Sequence, residues 1–309
     1  MANFALIGAA GYVAPRHMRA ISESGNDLVV AYDPSDSVGV LDSYFPNAHF
    51  FTEFERFDRH VDKLQRRGDN QRIDYVSVCS PNYLHDAHVR FALRCGANAV
   101  CEKPLVLNPW NLDGLKEMEI VTDRRVSCVL QLRLHPALLQ LREDLMTGPE
   151  RHHEVDLVYV TPRGKWYLAS WKGDEAKSGG IATNIGIHLF DLLLWLFGPV
   201  RHSEVAIREP LRAAGRLDLA RAHVRWHLSA DPADCTRRGR DRTAFRQLTV
   251  DGNPVEFSDG FVDLHTQAYR HAIEAGGFRI DDVEPSIVLA HQIRNCALNP
   301  AALPEGGIC

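Results

Sequence analysis

Along the first third of the chain, apolar residues come in short continuous runs instead of strict alternation. Asn3–Ile7, Leu28–Tyr32 (LVVAY), Tyr75–Cys79 (YVSVC) and Asn98–Cys101 are runs of this kind. Continuous β-prone runs separated by helical stretches predict a parallel sheet covered on both faces. Pro15–Ser24 and Leu84–Cys95 read as two of the intervening helices. In such sheets ligands bind beyond the carboxyl ends of the strands. Gly8, Asp33, Ser80, Asn82, Glu102 and Lys103 all stand at those predicted ends.

The pattern then changes. Val155–Thr161, Val200–Ile207, His223–Leu228 and Thr243–Val250 read as longer strands with alternation in places, and Gly186–Phe197, Val262–Ala275 and Ser286–Asn295 as lone helices. This predicts an α+β domain with a mostly antiparallel sheet. The expected fold class is therefore α/β, with a dinucleotide-binding Rossmann domain over 1–125 followed by an α+β domain with an open sheet over 126–309. At 309 residues the chain has room for two such domains.

Composition narrows the class. With 35 Lys and Arg against 40 Asp and Glu the formal charge is −5, which argues against a chain built to hold nucleic acid. The basic cluster Arg237–Arg242 lacks interleaved aromatics and reads as an exposed loop. Seven cysteines form no C-x-x-C pair, so reduced thiols are expected and no metal site. The N-terminus has no basic region before its apolar stretch, so no secretory signal is expected. The most apolar segment, Ile185–Val200, is 16 residues long and is interrupted by His188 and Asp191. A span needs about 18 or more apolar residues, so this segment is expected to be a buried helix and the protein cytoplasmic.

The turn Gly8-Ala9-Ala10-Gly11-Tyr12-Val13 stands where a dinucleotide fingerprint belongs, between a predicted strand and helix. Ala10 and Val13 occupy the second and third glycine positions of that pattern. An alanine still lets a pyrophosphate approach the backbone at a helix N-terminus. Asp33 ends the second strand, 25 positions after Gly8, where a carboxylate meets the adenosine ribose. It would repel a 2′-phosphate, so NAD is expected over NADP.

In a helical Thr183–Phe197, Asn184, His188 and Asp191 fall on one face, where Asp191 could orient His188. The stretch Thr161–Asp174 sets Arg163, Lys165 and Lys172 among Trp166, Tyr167 and Trp171. Arginine grips carboxylate or phosphate, and aromatic faces stack on sugars or bases, so an anionic nucleotide sugar suits this group better than a neutral monosaccharide.

Glu102-Lys103-Pro104 closing a strand, Pro81-Asn82 with His85, and Gly179-Gly180-x-x-x-Asn184-x-Gly186-x-His188 together resemble the Gfo/Idh/MocA oxidoreductases. The resemblance covers nearly the whole chain. It implies a Rossmann domain followed by an open-sheet α+β domain, with Lys103 and His188 at the catalytic centre. It also implies a cofactor site drawn from Gly8, Ala10, Gly11, Tyr12, Val13, Asp33, Ser80, Asn82, His85, Glu102, Lys103 and Gln131. Within the family, the Thr161–Asp174 stretch, Gln131–Pro136 and Ser178–His188 are most similar to UDP-N-acetylglucosaminuronate 3-dehydrogenases. That likeness implies NAD-dependent oxidation of C3 of the UDP-sugar uronate, with Lys103, Arg163, Tyr167, Asn184 and His188 holding the substrate. It further implies a homo-oligomer, often a tetramer, and 2-oxoglutarate is a possible hydride acceptor. Asn184 departs from the family's usual Asp. An amide cannot act as a base, which moves that role onto Lys103 or His188. A dehydrogenase of free polyols or aldoses, and a non-catalytic dinucleotide-binding sensor, stay open as rival readings.

Overall fold

The computed structural model describes residues 1–68, 70–237, 244–257 and 263–303. The chain divides into two compact units, Met1–Gln131 with Val262–Glu284, and Leu132–Phe261 with Pro285–Cys309. The expected boundary at 125/126 lies close to the first crossing. The return of Val262–Glu284 to the first unit differs from the expectation, and its helix Leu264–Glu274 shows the cause. Tyr269 of that helix is fully buried and hydrogen-bonds to Ser77 and His17, both in the first unit.

The first unit is built on six parallel strands: β1 Asn3–Ile7, β2 Asp27–Tyr32, β3 His49–Phe51, β4 Tyr75–Val78, β5 Asn98–Cys101 and β6 Val126–Cys128. Their order in the sheet is β3-β2-β1-β4-β5-β6. The order reverses between β1 and β4, so their carboxyl ends part and leave a crevice where doubly wound sheets take ligands. The continuous apolar runs are explained by burial on both faces, with Phe4, Leu6, Val30, Val76 and Val100 at 0–1% exposure. Ala14–Glu23 follows β1 and begins with Pro15 in its first turn, where the missing N–H costs nothing. Phe54–Arg67 is a largely polar helix that buries only Phe57, Val61 and Leu64, one stripe at i, i+4 and i+7.

The second unit carries β7 His153–Val160, β8 Val200–Arg208, β9 Arg212–Leu219, β10 Ala222–Ser229, β11 Phe245–Val250 and β12 Asn253–Val255. Their order is β12-β11-β7-β10-β9-β8, and every pairing is antiparallel except β7 with β10. One face is apolar: Val155, Leu157, Leu217, Val224, Trp226 and Leu248 join the core of Ile187–Phe197. The other face carries Glu154, Asp156, Arg216, Asp218, His223 and Arg225, the period-two alternation of a sheet with one side wetted.

The run Glu175–Phe197 is long and apolar enough to cross a membrane by length and composition alone, yet 78% of its most apolar window is buried within the fold. It is a core helix, as Ile185–Val200 suggested. The expected helix from Ser286 instead starts at Ile280 and contains Pro285. The basic cluster from Arg238 and the tail beyond Leu303 lie outside the described residues, as does Thr243 at the start of the expected strand. Burial pushes the Cys79 and Cys101 thiols well up and Cys95 to about 12.

Candidate functional site

The glycine turn after β1 lies at the switch point. Gly8 has φ +97°, and a Cβ there would stand 2.6–2.7 Å from the backbone of Cys79 and Ser80 at the end of β4. Only glycine fits where the turn after β1 crosses the end of β4. The Gly8 N–H donates to the Tyr32 carbonyl at 2.8 Å, and the Ala10 N–H donates to Asp33 Oδ2 at 3.0 Å. Asp33 therefore ties the ends of β1 and β2, and its Oδ1 also accepts from the Ser35 N–H. A turn of glycines and alanines opening a helix, with a carboxylate one strand away, fits a dinucleotide: the first for the diphosphate, the second for the ribose. Gly11 and Val13 are half-buried in that turn, whereas Tyr12 projects to 85% exposure beside Arg16.

After β4, Ser80 and Asn82 are buried, and Asn82 opens the short helix Asn82–Leu84. Ser80 Oγ pairs with His88 Nδ1 at 2.8 Å. Burial, with His85 nearby, pulls the His88 pKa down to about 4. His85 was expected to line the cofactor, but it is 1% exposed and its ring sits between two carbonyls, Pro104 O at 2.6 Å and Ser80 O at 2.8 Å. It braces the β4 turn against the turn after β5. Burial, its largest influence, lowers its pKa.

Glu102 likewise turns inward. Its Oε1 lies 3.1 Å from both His17 Nε2 and His265 Nε2, and its Oε2 accepts from the Lys103 N–H at 3.2 Å. Burial alone would raise this carboxyl. The hydrogen bonds from the two histidines outweigh it and hold the group well below the usual range. Burial holds the His17 pKa down, so its ring is neutral. With Glu102 ionised it can only accept, so His17 donates from Nε2 and accepts at Nδ1 from the Tyr269 hydroxyl at 2.7 Å. Ser77 Oγ then donates to Tyr269 at 2.6 Å. The carboxylate thus ends a saturated buried chain of hydrogen bonds and pins the backbone of Lys103. Lys103 is half-buried, and its bond to Pro104 is cis. Gln131, the last residue of this unit, is half-buried at the start of the short helix Gln131–Leu134.

In the second unit, Ala182–Gly186 is a π-helical turn leading into Ile187–Phe197. The even helix assumed over Thr183–Phe197 is therefore modified where Asn184 sits, an irregularity frequent at functional sites. A Cβ on Gly186 would lie 2.5 Å from Leu228 and 2.8 Å from the Phe190 ring, so the glycine lets this turn pack on β10. Asn184 Nδ2 donates to the Tyr167 hydroxyl at 2.9 Å. Tyr167 is 2% exposed, and burial raises its pKa. Asn184 and His188 are both half-buried, with the His188 ring 6.2 Å from that of Tyr159.

Asp191 is held by an arginine that the sequence pattern does not announce. Its two oxygens accept from Arg133 Nε and Nη2 at 2.9 and 2.7 Å, a buried bidentate pair. Arg133 was not singled out from the sequence, since nothing local marks a partner 58 positions away. His17, His265 and Tyr269 escaped for the same reason.

Arg163 is half-buried, with its N–H donating to the Ala230 carbonyl at 2.9 Å. The Lys172 amine stands 4.3 Å from the centre of the Trp171 ring, and Trp166 is 53% exposed. Lys103 and the dinucleotide turn thus belong to the first unit, and Arg163, Tyr167, Asn184 and His188 to the second.

Two family models match, described as "Oxidoreductase family, NAD-binding Rossmann fold" over residues 2–129 and "Oxidoreductase family, C-terminal alpha/beta domain" over 152–233. Among solved structures, a WlbA (WbpB) dehydrogenase from Thermus thermophilus is 52% identical, with a TM-score of 0.92 over 97% of this chain and 96% of that one. It has been crystallised with NAD and alpha-ketoglutarate, and with NAD and UDP-GlcNAcA. Among curated proteins, D-glucoside 3-dehydrogenase of Escherichia coli K12 is 30% identical over 63% of this chain and 53% of its own length. Inositol 2-dehydrogenase of Rhizobium meliloti 1021 is 28% identical over 63% and 55%. The matched region spans about half the length of these curated relatives.

Proposed function

The chain belongs to the Gfo/Idh/MocA oxidoreductase family, and from that premise we propose that it oxidises the C3 hydroxyl of UDP-2-acetamido-2-deoxy-D-glucuronate to the 3-keto sugar, using NAD. The observation that carries this reading is the full-length likeness to the Thermus thermophilus dehydrogenase bound to NAD and UDP-GlcNAcA. Lys103 and His188 at the family's catalytic positions and the cationic Arg163 stretch are what that substrate would need.

Gly8 and Gly11 would admit the diphosphate of NAD, and Asp33 would take the ribose hydroxyls and repel a 2′-phosphate. When bound, NAD supplies the acceptor for the hydride leaving C3. Lys103 or His188 removes the hydroxyl proton, a role that calls for a group whose pKa lies near the working pH. Glu102 holds the Lys103 backbone from behind. Asn184, itself held by Tyr167, orients the hydroxyl. Arg163 meets the uronate carboxylate or the diphosphate. We further place the protein in the cytoplasm as a homotetramer, with 2-oxoglutarate reoxidising the cofactor and the keto-sugar passing to diacetamido uronic acids of bacterial surface polysaccharide.

The test is NADH and keto-sugar formation with protein at substrate-like concentration. UDP-GlcNAcA should yield both and UDP-GlcNAc neither, which would make the carboxylate the specificity handle. Oxidation of myo-inositol or a free glucoside in place of the uronate would overturn the substrate. NAD binding with no oxidation of any sugar would leave a sensor.

A further inference from the structure

At one end of the second unit's sheet, three side chains of metal-ligating type meet on the wetted face. Asp218 of β9 and His223 of β10 are directly opposed in the antiparallel register, and His152 immediately precedes β7, which pairs with β10 on its other side. Asp218 Oδ1 lies 3.2 Å from His223 Nδ1 and 3.5 Å from His152 Nε2. One ligand atom from each of the three lies within 4.8 Å of the others. The two imidazoles are 4.2 Å apart between ring centres.

Asp218 Oδ1 is shielded from solvent yet accepts no hydrogen bond from any described residue, although two imidazole nitrogens stand beside it. The ring nitrogens are near enough for hydrogen bonding but do not aim a proton at the oxygen. A shielded carboxylate oxygen without a donor is an unfavourable arrangement that a cation would relieve. The spacing suits one. Zinc bonds nitrogen and oxygen at about 2.0–2.2 Å, which puts tetrahedral ligand atoms about 3.4 Å apart. The two measured separations bracket that value. The neighbouring basic residue Arg151 is paired with Asp251 at 2.8 Å, and His153 Nδ1 with the same carboxylate at 2.9 Å. Glu154, the exposed cross-strand neighbour of His223, adds negative charge to the row.

We propose that His152, Asp218 and His223 form a surface site for a divalent transition ion of zinc type. Two imidazoles and a carboxylate select such an ion over magnesium or calcium, which take oxygen ligands. Three protein ligands leave a fourth position for water. The ion ties the β9–β10 hairpin to the chain entering β7, and so adds stability in proportion to its occupancy. The site is independent of the dinucleotide turn and of the proposed reaction.

The experiment uses full-length, tag-free protein stripped with chelator and titrated with zinc chloride by calorimetry. Cobalt(II) in its place gives a visible spectrum that reports coordination. One saturable ion per chain is expected, weakened about tenfold or more in each of His152→Gln, Asp218→Asn and His223→Ala, with the cobalt spectrum lost. Metal-free melting of the three variants, matching the metal-free wild type, shows that they fold. No saturable binding up to about 1 mM zinc, or affinity unchanged in all three variants, would overturn the proposal.

Discussion

His17, Glu102 and His265 lie buried in the first unit; His152, Asp218 and His223 lie partly exposed on the second. Both clusters join two imidazoles to one carboxylate at similar distances. They differ in where the protons point. In the buried cluster each histidine N–H is aimed at Glu102, and the chain of donors runs on through Tyr269 to Ser77. Every lone pair used is matched, so the cluster serves as a brace for the turn that carries Lys103. In the exposed cluster the carboxylate oxygen has no donor aimed at it, so the same residue types are left able to receive a cation. Residue identity and proximity suggest a metal in both; the hydrogen bonds separate them.

Breaking the buried cluster should have the largest effect. Glu102→Ala leaves two buried imidazole N–H groups without their acceptor, and a loss of about 3–5 kcal/mol in unfolding free energy by urea denaturation is expected. A loss below about 1 kcal/mol would mean that the brace is not structural.

Acid sharpens the contrast next. Burial lowers the pKa of His17, and that of His88 to about 4. The unfolded chain binds these protons near pH 6.5 while the folded chain does not, so their stabilising effect is full above about 6.5 and is lost as pH falls toward the folded values. For His88 alone this reaches roughly 3 kcal/mol by pH 4. Glu102, whose pKa is depressed, contributes above its unfolded value near 4.5 and is lost only as pH falls through its lower folded value. Urea midpoints should therefore fall already between pH 6.5 and 4.5, and His88→Phe should flatten that slope. A slope unchanged by the substitution would contradict the reading.

The smallest effect is expected at the exposed cluster. Without metal, Asp218→Asn should change stability by no more than about 0.5 kcal/mol at pH 7, since partly solvated pairs contribute little. A loss as large as that from Glu102→Ala would erase the distinction between the two.

What was readable in the sequence was what is local. The β1 turn, Asp33 and the Glu102-Lys103-Pro104 turn stand at the ends of continuous apolar strands, and each announces itself within a few residues. The strand Arg212–Leu219 did not, because Ala213 and Gly215 make up half of its buried face and, with Ala214 between them, look like a loop. The start of Ile280–Asn295 was hidden by Pro285, ordinarily a boundary signal. Glu102 reads as a cofactor residue because it closes a strand within the Glu102-Lys103-Pro104 motif. Its partners come from 85 and 163 positions away, and only the fold brings them in. The Arg133 that bonds both oxygens of Asp191 stands 58 positions away and leaves no mark on the helix pattern.

The most direct test of the central claim, that the turn held by Glu102 presents Lys103 to a reacting sugar hydroxyl, is a single-turnover comparison of wild type with Lys103→Met. Protein, NAD and UDP-GlcNAcA are mixed near equal concentration, NADH is followed by absorbance and keto-sugar by mass, and NAD binding is measured separately. Wild type should form keto-sugar in amounts approaching one per chain. Lys103→Met should bind NAD normally and react about 10³-fold more slowly. Oxidation by Lys103→Met at the wild-type rate would contradict the claim.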